Sequence, residues 1–247
     1  MCTSYTNSVS DEMQAPLPAP WDAMWGRREP SDRGRPATLT LDSLVSAAVA
    51  IADSGGIDSV SMGKVANSVG CAPMALYRHV TNKDELIALM VEASVGPLDL
   101  PEVGDDWRTS LERWAWALLA VVRKHRWLMS VPLTQLPFGP NRLIWLELGL
   151  SALADTEVPE KRKADVIMLL NSYVFSEARM AAELAPTADT GAESTRMLAS
   201  LIDVARFPAI VRAAAGGMFA AEAGSSDADF GFGLDVLLDG IGRLIGD

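Results

Sequence analysis

The sequence predicts an all-α fold, and three observations carry that expectation. Apolar residues recur at intervals of three and four in one segment after another. No segment alternates apolar and polar residues as a half-buried strand would. Glycine, proline and capping residues punctuate the boundaries. The chain has 247 residues, 49% of them hydrophobic, enough for one large or two small domains around a real core.

Residues 1–36 are rich in Pro, Ser, Asp and Arg and show little periodicity, so they are read as a flexible N-terminal arm. Trp21 and Trp25 are unusual in such a tail. Arg27, Arg28, Arg33 and Arg35 cluster just ahead of the first helical pattern. Thr40 or Asp42 opens that helix. Leu41, Leu44, Val45, Ala48 and Ile51 form its buried stripe, and Gly55-Gly56 closes it with glycine at the left-handed cap. Ile57 and Val60 flank a short connection. Ser61 caps the second helix, whose inner side is Met62, Val65, Ala66 and Val69.

Gly70-Cys71-Ala72 makes the next turn, and Pro73 suits the first turn of a third helix running to Val80. Leu76 and Val80 face inward there. Met74, Ala75, Tyr77, Arg78 and His79 are left for the other faces. Two short helices about a tight glycine turn have the spacing of a helix-turn-helix, the unit that seats its second helix in the DNA major groove. Thr81 with Asp84, or Asn82 with Glu85, gives a capping-box start to a fourth helix. Leu86, Ile87, Met90 and Val91 carry its apolar side, and it fades near Gly96-Pro97.

Residues 97–106, with two prolines and several acids, mark the expected domain boundary. The expected division is arm 1–36, helix-turn-helix domain 37–95 and a helical domain 96–247. In the last, a helix spans Trp107 to Lys124 with Leu111, Trp114, Leu118 and Val121 on one stripe and Trp116 nearly opposite. A short element covers Trp127 to Leu133. Asn141 caps a helix ending near Leu153, and Pro159 starts a long one reaching about Leu184. Helix is expected from about Ala192 to Arg206 and again from Pro208 to Gly216. Asp229 caps a final helix whose stripe is Leu234, Leu237, Leu238, Ile241 and Ile245.

Net charge is −11, which taken globally argues against a nucleic-acid partner. The distribution matters more. Residues 27–83 hold 7 Lys and Arg against 5 Asp and Glu, whereas residues 84–247 hold 14 against 24. The acid lies away from the reading surface, which permits DNA binding. No apolar run approaches the roughly 18 residues needed to span a bilayer, and the polar, acidic N-terminus does not read as a signal peptide, so a cytoplasmic protein without a membrane partner is expected. Cys2 and Cys71 do not form a disulfide framework.

Chemistry-bearing patterns are sparse. The histidines, His79 and His125, stand in no ligand spacing with cysteine, so no metal is expected. His125, between Lys124 and Arg126, reads as a surface residue. Gly240-Ile241-Gly242 lacks the preceding strand of a dinucleotide site, and Gly233 and Gly240, seven apart, suit close helix–helix approach. No Ser/His/Asp, paired-carboxylate or phosphate-loop arrangement stands out, so neither enzyme activity nor a cofactor is expected.

At GIDSVSMGKVANSVG followed by CAPMALYRHVTNKDELI, the chain resembles the tetracycline-repressor (TetR) family of transcriptional regulators. The shared features are the apolar pair before Ser61, Val65-Ala66, Gly70, Leu76-Tyr77, His79 and Lys83. HRWLMSVP, GPNRLIWLELGLSAL and FGLDVLLDGI resemble the ligand-binding half of the tetracycline-repressor-like branch. The resemblance implies a homodimer that binds operator DNA through its N-terminal domain and a small effector through its helical C-terminal domain, the effector usually releasing the operator. Two departures bear on base readout. Gly63 stands where many members carry an arginine, and the front of the third helix, Ala72-Pro73-Met74-Ala75, has no long polar side chain.

The expected DNA contacts are Arg33, Arg35, Ser61, Lys64, Ala72, Pro73, Met74, Ala75, Tyr77, Arg78, His79 and Lys83, with His79 at a phosphate. The expected lining of a largely apolar effector site is Trp114, Trp127, Trp145 and Tyr173, with Glu177 as a polar anchor. Glu177 and Arg179 also suit a dimer interface or solvent. Leu234, Leu237, Leu238 and Ile241 are the expected dimer residues. The leading reading is a ligand-responsive repressor. The alternatives are a DNA-binding regulator without an effector, and a helical binding protein or enzyme whose helix-turn-helix is only structural.

Overall fold

The computed structural model describes residues 21–25, 39–96, 106–132, 139–184, 197, 201–216 and 225–246, and among these every regular element is helical. The helices are α1 Trp21–Met24, α2 Leu41–Gly55, α3 Met62–Ser68, α4 Pro73–Leu76, α5 Lys83–Val95, α6 Trp107–Lys124, α7 Pro140–Ser151, α8 Glu160–Leu184, α9 Pro208–Ala215 and α10 Ser225–Ile245. Short 3-10 turns cover Ile57–Ser59 and Arg126–Ser130. The chain gathers into two compact units, Met1–Ile167 and Met168–Asp247. The expected boundary at 95/96 therefore falls inside the first unit.

Capping residues set the ends of the N-terminal helices. Thr40 and Ser43 form a reciprocal capping box on α2, and the Ser61 side chain accepts from the Lys64 N–H at the head of α3. Of the two candidate caps for α5, Asn82 holds the position. Its side chain accepts from Glu85 N–H at 2.8 Å, while the Glu85 carboxylate reaches back to Thr81 N–H at 2.7 Å. Between these caps, Leu44, Ala48, Val65, Ala66, Leu76, Val80, Leu86 and Met90 are fully buried and form the core of the DNA-binding head.

Helix α5 departs from the expected single stripe. It is buried at Glu85, Leu86, Ala88, Leu89, Met90, Val91 and Glu92 alike, because α1, α2 and α7 pack on different sides of it. Several boundaries also differ from expectation. Residues 21–24 of the arm are helical and lie against α5, so the arm segment that holds Trp21 has a neighbour. The third helix ends at Leu76 rather than Val80. The N–H groups of Arg78 and His79 turn to Ala75 O and Leu76 O, three residues back, and tighten the chain toward the Asn82 cap. Asn141 does not cap α7, since Gly139 occupies that place. The last helix begins at Ser225, ahead of Asp229. Most of the expected 192–206 helix lies outside the described residues, and its end is a turn in which Phe207 N–H donates to Asp203 O at 2.8 Å.

In the second unit, α8 and α10 share a core. Leu170, Val174, Ala178, Phe230, Leu234, Leu238 and Ile241 are all at most 5% exposed. The Tyr173 ring stacks on Phe230 with centroids 5.3 Å apart, and its hydroxyl donates to Phe230 O at 2.8 Å. Burial, with Glu177 and Asp229 nearby, pushes that phenol up to about 12. Gly233 permits this approach, because a Cβ there would fall on the Tyr173 hydroxyl, whereas Gly240 has open space around it. Within the chain, the close-approach expectation thus holds at Gly233.

Two glycines near the reading surface should respond oppositely to alanine. Gly70 makes the inter-helix turn at φ 69°, where a Cβ costs about 1–2 kcal/mol. Gly63 is helical, and a Cβ there would meet no atom within 4 Å. Denaturant unfolding should show Gly70→Ala destabilised by that amount and Gly63→Ala stabilised by up to about 1 kcal/mol.

Candidate nucleic-acid interface

The helix-turn-helix consists of α3, the Gly70 turn and the single-turn α4. Leu76 at 0% exposure anchors α4 to the core, which leaves the opposite side of the turn facing outward. Ser61, Gly63, Lys64, Ala72, Pro73, Met74, Tyr77, Arg78 and Lys83 are exposed, with Ala75 and His79 half-buried. Met74 at 74% and Tyr77 at 47% exposure are large apolar groups held in solvent, where a monomeric domain gains nothing from them. The residues expected at DNA from Ser61 to Lys83 are therefore all exposed or half-buried on the head. Because α4 stops at Leu76, Tyr77, Arg78 and His79 project from the turn after it rather than from a continuing helix. Arg33 and Arg35 lie outside the described residues.

The chemistry of this surface is divided. Ala72, Pro73, Met74 and Ala75 offer apolar atoms of the kind that pack on thymine methyl groups. Lys64, Arg78 and Lys83 supply cations and Tyr77 a hydroxyl, groups that suit phosphate oxygens. The Ser61 hydroxyl oxygen is engaged with the Lys64 N–H at 3.3 Å, leaving its proton to donate.

Two carboxylates tie the head to the helices that follow it. Asp53, near the end of α2, accepts from His125 Nδ1 at 2.8 Å and from the Trp127 indole N–H at 2.9 Å through one oxygen. Asp53 itself keeps contact with solvent, but His125 is 5% exposed and Trp127 3%. The expectation that His125 is a surface residue is thus wrong, since Asp53 gives its buried ring a partner 72 positions away. Near the end of α5, Glu92 is 6% exposed and accepts from the backbone N–H of Asn141 in α7. Burial raises its carboxyl above the usual range, opposed by backbone bonds from Asn141 and Arg142 and by the Arg142 guanidinium.

The expected effector residues have the following neighbours. Trp114 and Trp145 meet edge to face at 6.0 Å, and the Trp114 indole donates to Trp145 O at 2.9 Å. Trp127 is engaged with Asp53. Tyr173 and Glu177 lie one turn apart on α8 in the second unit. The expected dimer residues need correction as well. Leu234, Leu238 and Ile241 are 0–2% exposed within the single chain and Leu237 is half-buried. A side chain already covered by its own chain adds no burial to an interface. The exposed apolar residues of these helices are instead Met168, Leu169 and Met180 on α8 and Phe232, Val236 and Leu244 on α10.

Sequence reasoning missed Asp53 and Glu92. One signal pointed toward the second. Gly139-Pro140 opens a helix without a Ser, Thr, Asp or Asn ahead of the proline, which leaves room for a capping side chain from another element.

A helix-turn-helix with an outward reading face, set on an otherwise helical chain, defines a DNA-binding transcriptional regulator. Comparison with known proteins makes the class specific. Residues 44–90 match the family model for bacterial regulatory proteins of the tetR family, and residues 100–245 that for the tetracyclin repressor-like C-terminal domain. The chain is 35% identical to the HTH-type transcriptional repressor DrrR1 of Streptomyces coeruleorubidus over 98% of its own length and 90% of the relative's. It is 30% identical to an HTH-type transcriptional regulator of Saccharopolyspora erythraea over 91% and 93%. Among solved structures, ActR of Streptomyces coelicolor in complex with actinorhodin superimposes with a TM-score of 0.75 at 26% identity, covering 86% of this chain and 99% of ActR. The protein belongs to the TetR family of transcriptional regulators.

Proposed function

We propose that the protein is a dimeric repressor that binds operator DNA through residues 37–95 and is released when residues 96–247 take up a small, largely apolar effector. The observation that carries the DNA half is the outward-facing, apolar-fronted reading surface on the α3–α4 unit. For the effector half, support comes from the match of residues 100–245 to the repressor C-terminal model and from ActR, a structural relative solved with actinorhodin bound. Trp114, Trp127, Trp145, Tyr173 and Glu177 remain the proposed effector residues. Among the described residues no helix is long and apolar enough to cross a membrane.

DNA recognition leans on backbone contacts and shape more than on base hydrogen bonds. Ala72 to Ala75 read methyl groups. Tyr77, His79, Lys64, Lys83 and the Ser61 hydroxyl hold phosphates. Arg33 and Arg35 of the arm add minor-groove contacts. Arg78 is the long donor nearest α4 and reads a guanine. On a duplex selected from a randomised pool, Arg78→Ala should cost about 1–3 kcal/mol and relax preference at one position per half-site. Lys83→Ala should weaken all sequences alike and flatten the salt dependence. A uniform loss for Arg78→Ala, with base preference unchanged, would make it a phosphate contact instead.

The dimer forms through the outer faces of α8 and α10. Met168, Leu169 and Met180 are exposed on one helix, and Phe232, Val236 and Leu244 on the other. Two such helices from each chain make a four-helix interface. Val236→Asp should give folded monomers in light scattering at concentrations where the unmodified chain is dimeric. Ile241→Asp should unfold the unit, because Ile241 is 2% exposed inside it. A Val236→Asp chain that stays dimeric would remove this face from the interface.

A further inference from the structure

Helix α7 starts at Pro140 behind Gly139, whose φ of −89° and ψ of 176° are those of an ordinary N-cap that any residue adopts. Such a position favours Ser, Thr, Asp or Asn, whose side chain accepts the first free N–H groups of the helix. Here the residue at the cap has no side chain to offer, and a Cβ at 139 would take the space of the Glu92 carboxyl group and push it aside. Glu92 does the capping from α5. Its Oε1 accepts from the Asn141 N–H, and the Arg142 N–H also bears on the carboxylate. A carboxylate is the group that the positive end of α7 favours.

The tie runs both ways. The Asn141 side-chain amide donates to Glu92 O at 3.1 Å, and the Trp145 indole donates to Gly96 O at 3.2 Å. These carbonyls belong to the C-terminal end of α5, where the chain leaves the helix at Gly96 with φ 61°. The last turn of α5 and the first turn of α7 thus satisfy groups that each helix leaves open on its own. The contacts join the same two helix ends, so a movement of α5 away from α7 would bear on all of them.

We propose that this reciprocal cap is the coupling device of the protein: Glu92 seated on α7 holds α5 in its DNA-competent position, and withdrawal of Glu92 uncaps α7 and lowers operator affinity. The proposal rests on the reading of the chain as an effector-released repressor. Glu92 is a positioning residue, acting on DNA through α5 and the Asn82 and Leu86 end of that helix. The Asp53 tie to His125 and Trp127 lies on a different helix of the head, α2, and does not involve Glu92.

The test exploits the shared space of Glu92 and residue 139, using the full-length dimer and a duplex selected from a randomised pool with the unmodified protein. In the native background, Gly139→Ser collides with the Glu92 carboxyl group and should lower the melting midpoint. With Glu92→Ala the serine has room, caps α7 locally and should raise the midpoint above that of Glu92→Ala alone. This reversal of sign is the expected result. For DNA, Gly139→Ser should weaken binding about tenfold or more. Glu92→Gln, which keeps the accepting oxygen, should stay close to the unmodified protein. The double variant Glu92→Ala with Gly139→Ser should melt like the unmodified protein yet bind about tenfold or more weakly, because α7 is capped but α5 is untied. If the double variant regains both stability and affinity, the cap is structural only and the coupling is overturned. If Gly139→Ser acts alike in both backgrounds, Glu92 does not occupy the cap. If the unmodified protein selects no sequence from the pool, the repressor reading itself fails, while the melting arm still judges the cap.

Discussion

Two carboxylates set between the DNA-binding head and the helices that follow it are the constraint on which the first unit depends. Asp53 on α2 collects the His125 ring and the Trp127 indole, and Glu92 on α5 collects the head of α7. Buried polar groups are unfavourable unless they are bonded. Withdrawing Asp53 would leave the buried His125 and Trp127 nitrogens without their acceptor, and moving Glu92 would strand a buried carboxyl group. Either loss costs about 1–3 kcal/mol, more for a charged group. These contacts therefore fix two helices of the head against the chain beyond residue 106. They are among the contacts that carry the first compact unit past the end of α5.

The reading surface follows from a similar sparseness of side chains. A single-turn α4 held by Leu76 leaves Met74 and Tyr77 in solvent, and Gly63 removes a long donor from α3. On the proposed reading, such a surface would rely on shape, methyl contacts and phosphates, with specificity from the summed fit of two half-sites rather than from a dense set of base hydrogen bonds. The net acidity of the chain beyond residue 83 suits that arrangement, since it leaves the attractive field concentrated at the head.

Local signals are legible where they act locally. Thr40, Ser61 and Asn82 mark helix starts because capping is a contact of three residues. Gly70 marks the turn because only glycine takes a φ above zero at little cost there. The all-helical class and the family resemblance both lie in such short-range patterns. Contacts spanning 49 to 74 positions are not legible. In the sequence Glu92 is one of several polar residues in its helix, and His125 is part of a basic run. The stripe at Leu234, Leu238 and Ile241 is apolar as expected, yet its own chain covers it. Periodicity reports that a face is buried and is silent on whether its own chain or a second copy does the covering. The neighbouring residues Phe232 and Val236, left uncovered, stand out only once the packing of α8 on α10 is in view.

If α5 couples the head to α7 as proposed, occupancy of the reading surface is felt at the Gly139 cap. Hydrogen exchange of the full-length protein, with and without its selected duplex, measures this directly. DNA should raise protection at residues 61–80 and, together with it, at 83–95 and 139–146. Protection gained at 61–80 alone, with the amides of Asn141 and Arg142 exchanging at the same rate in both states, would contradict the coupling.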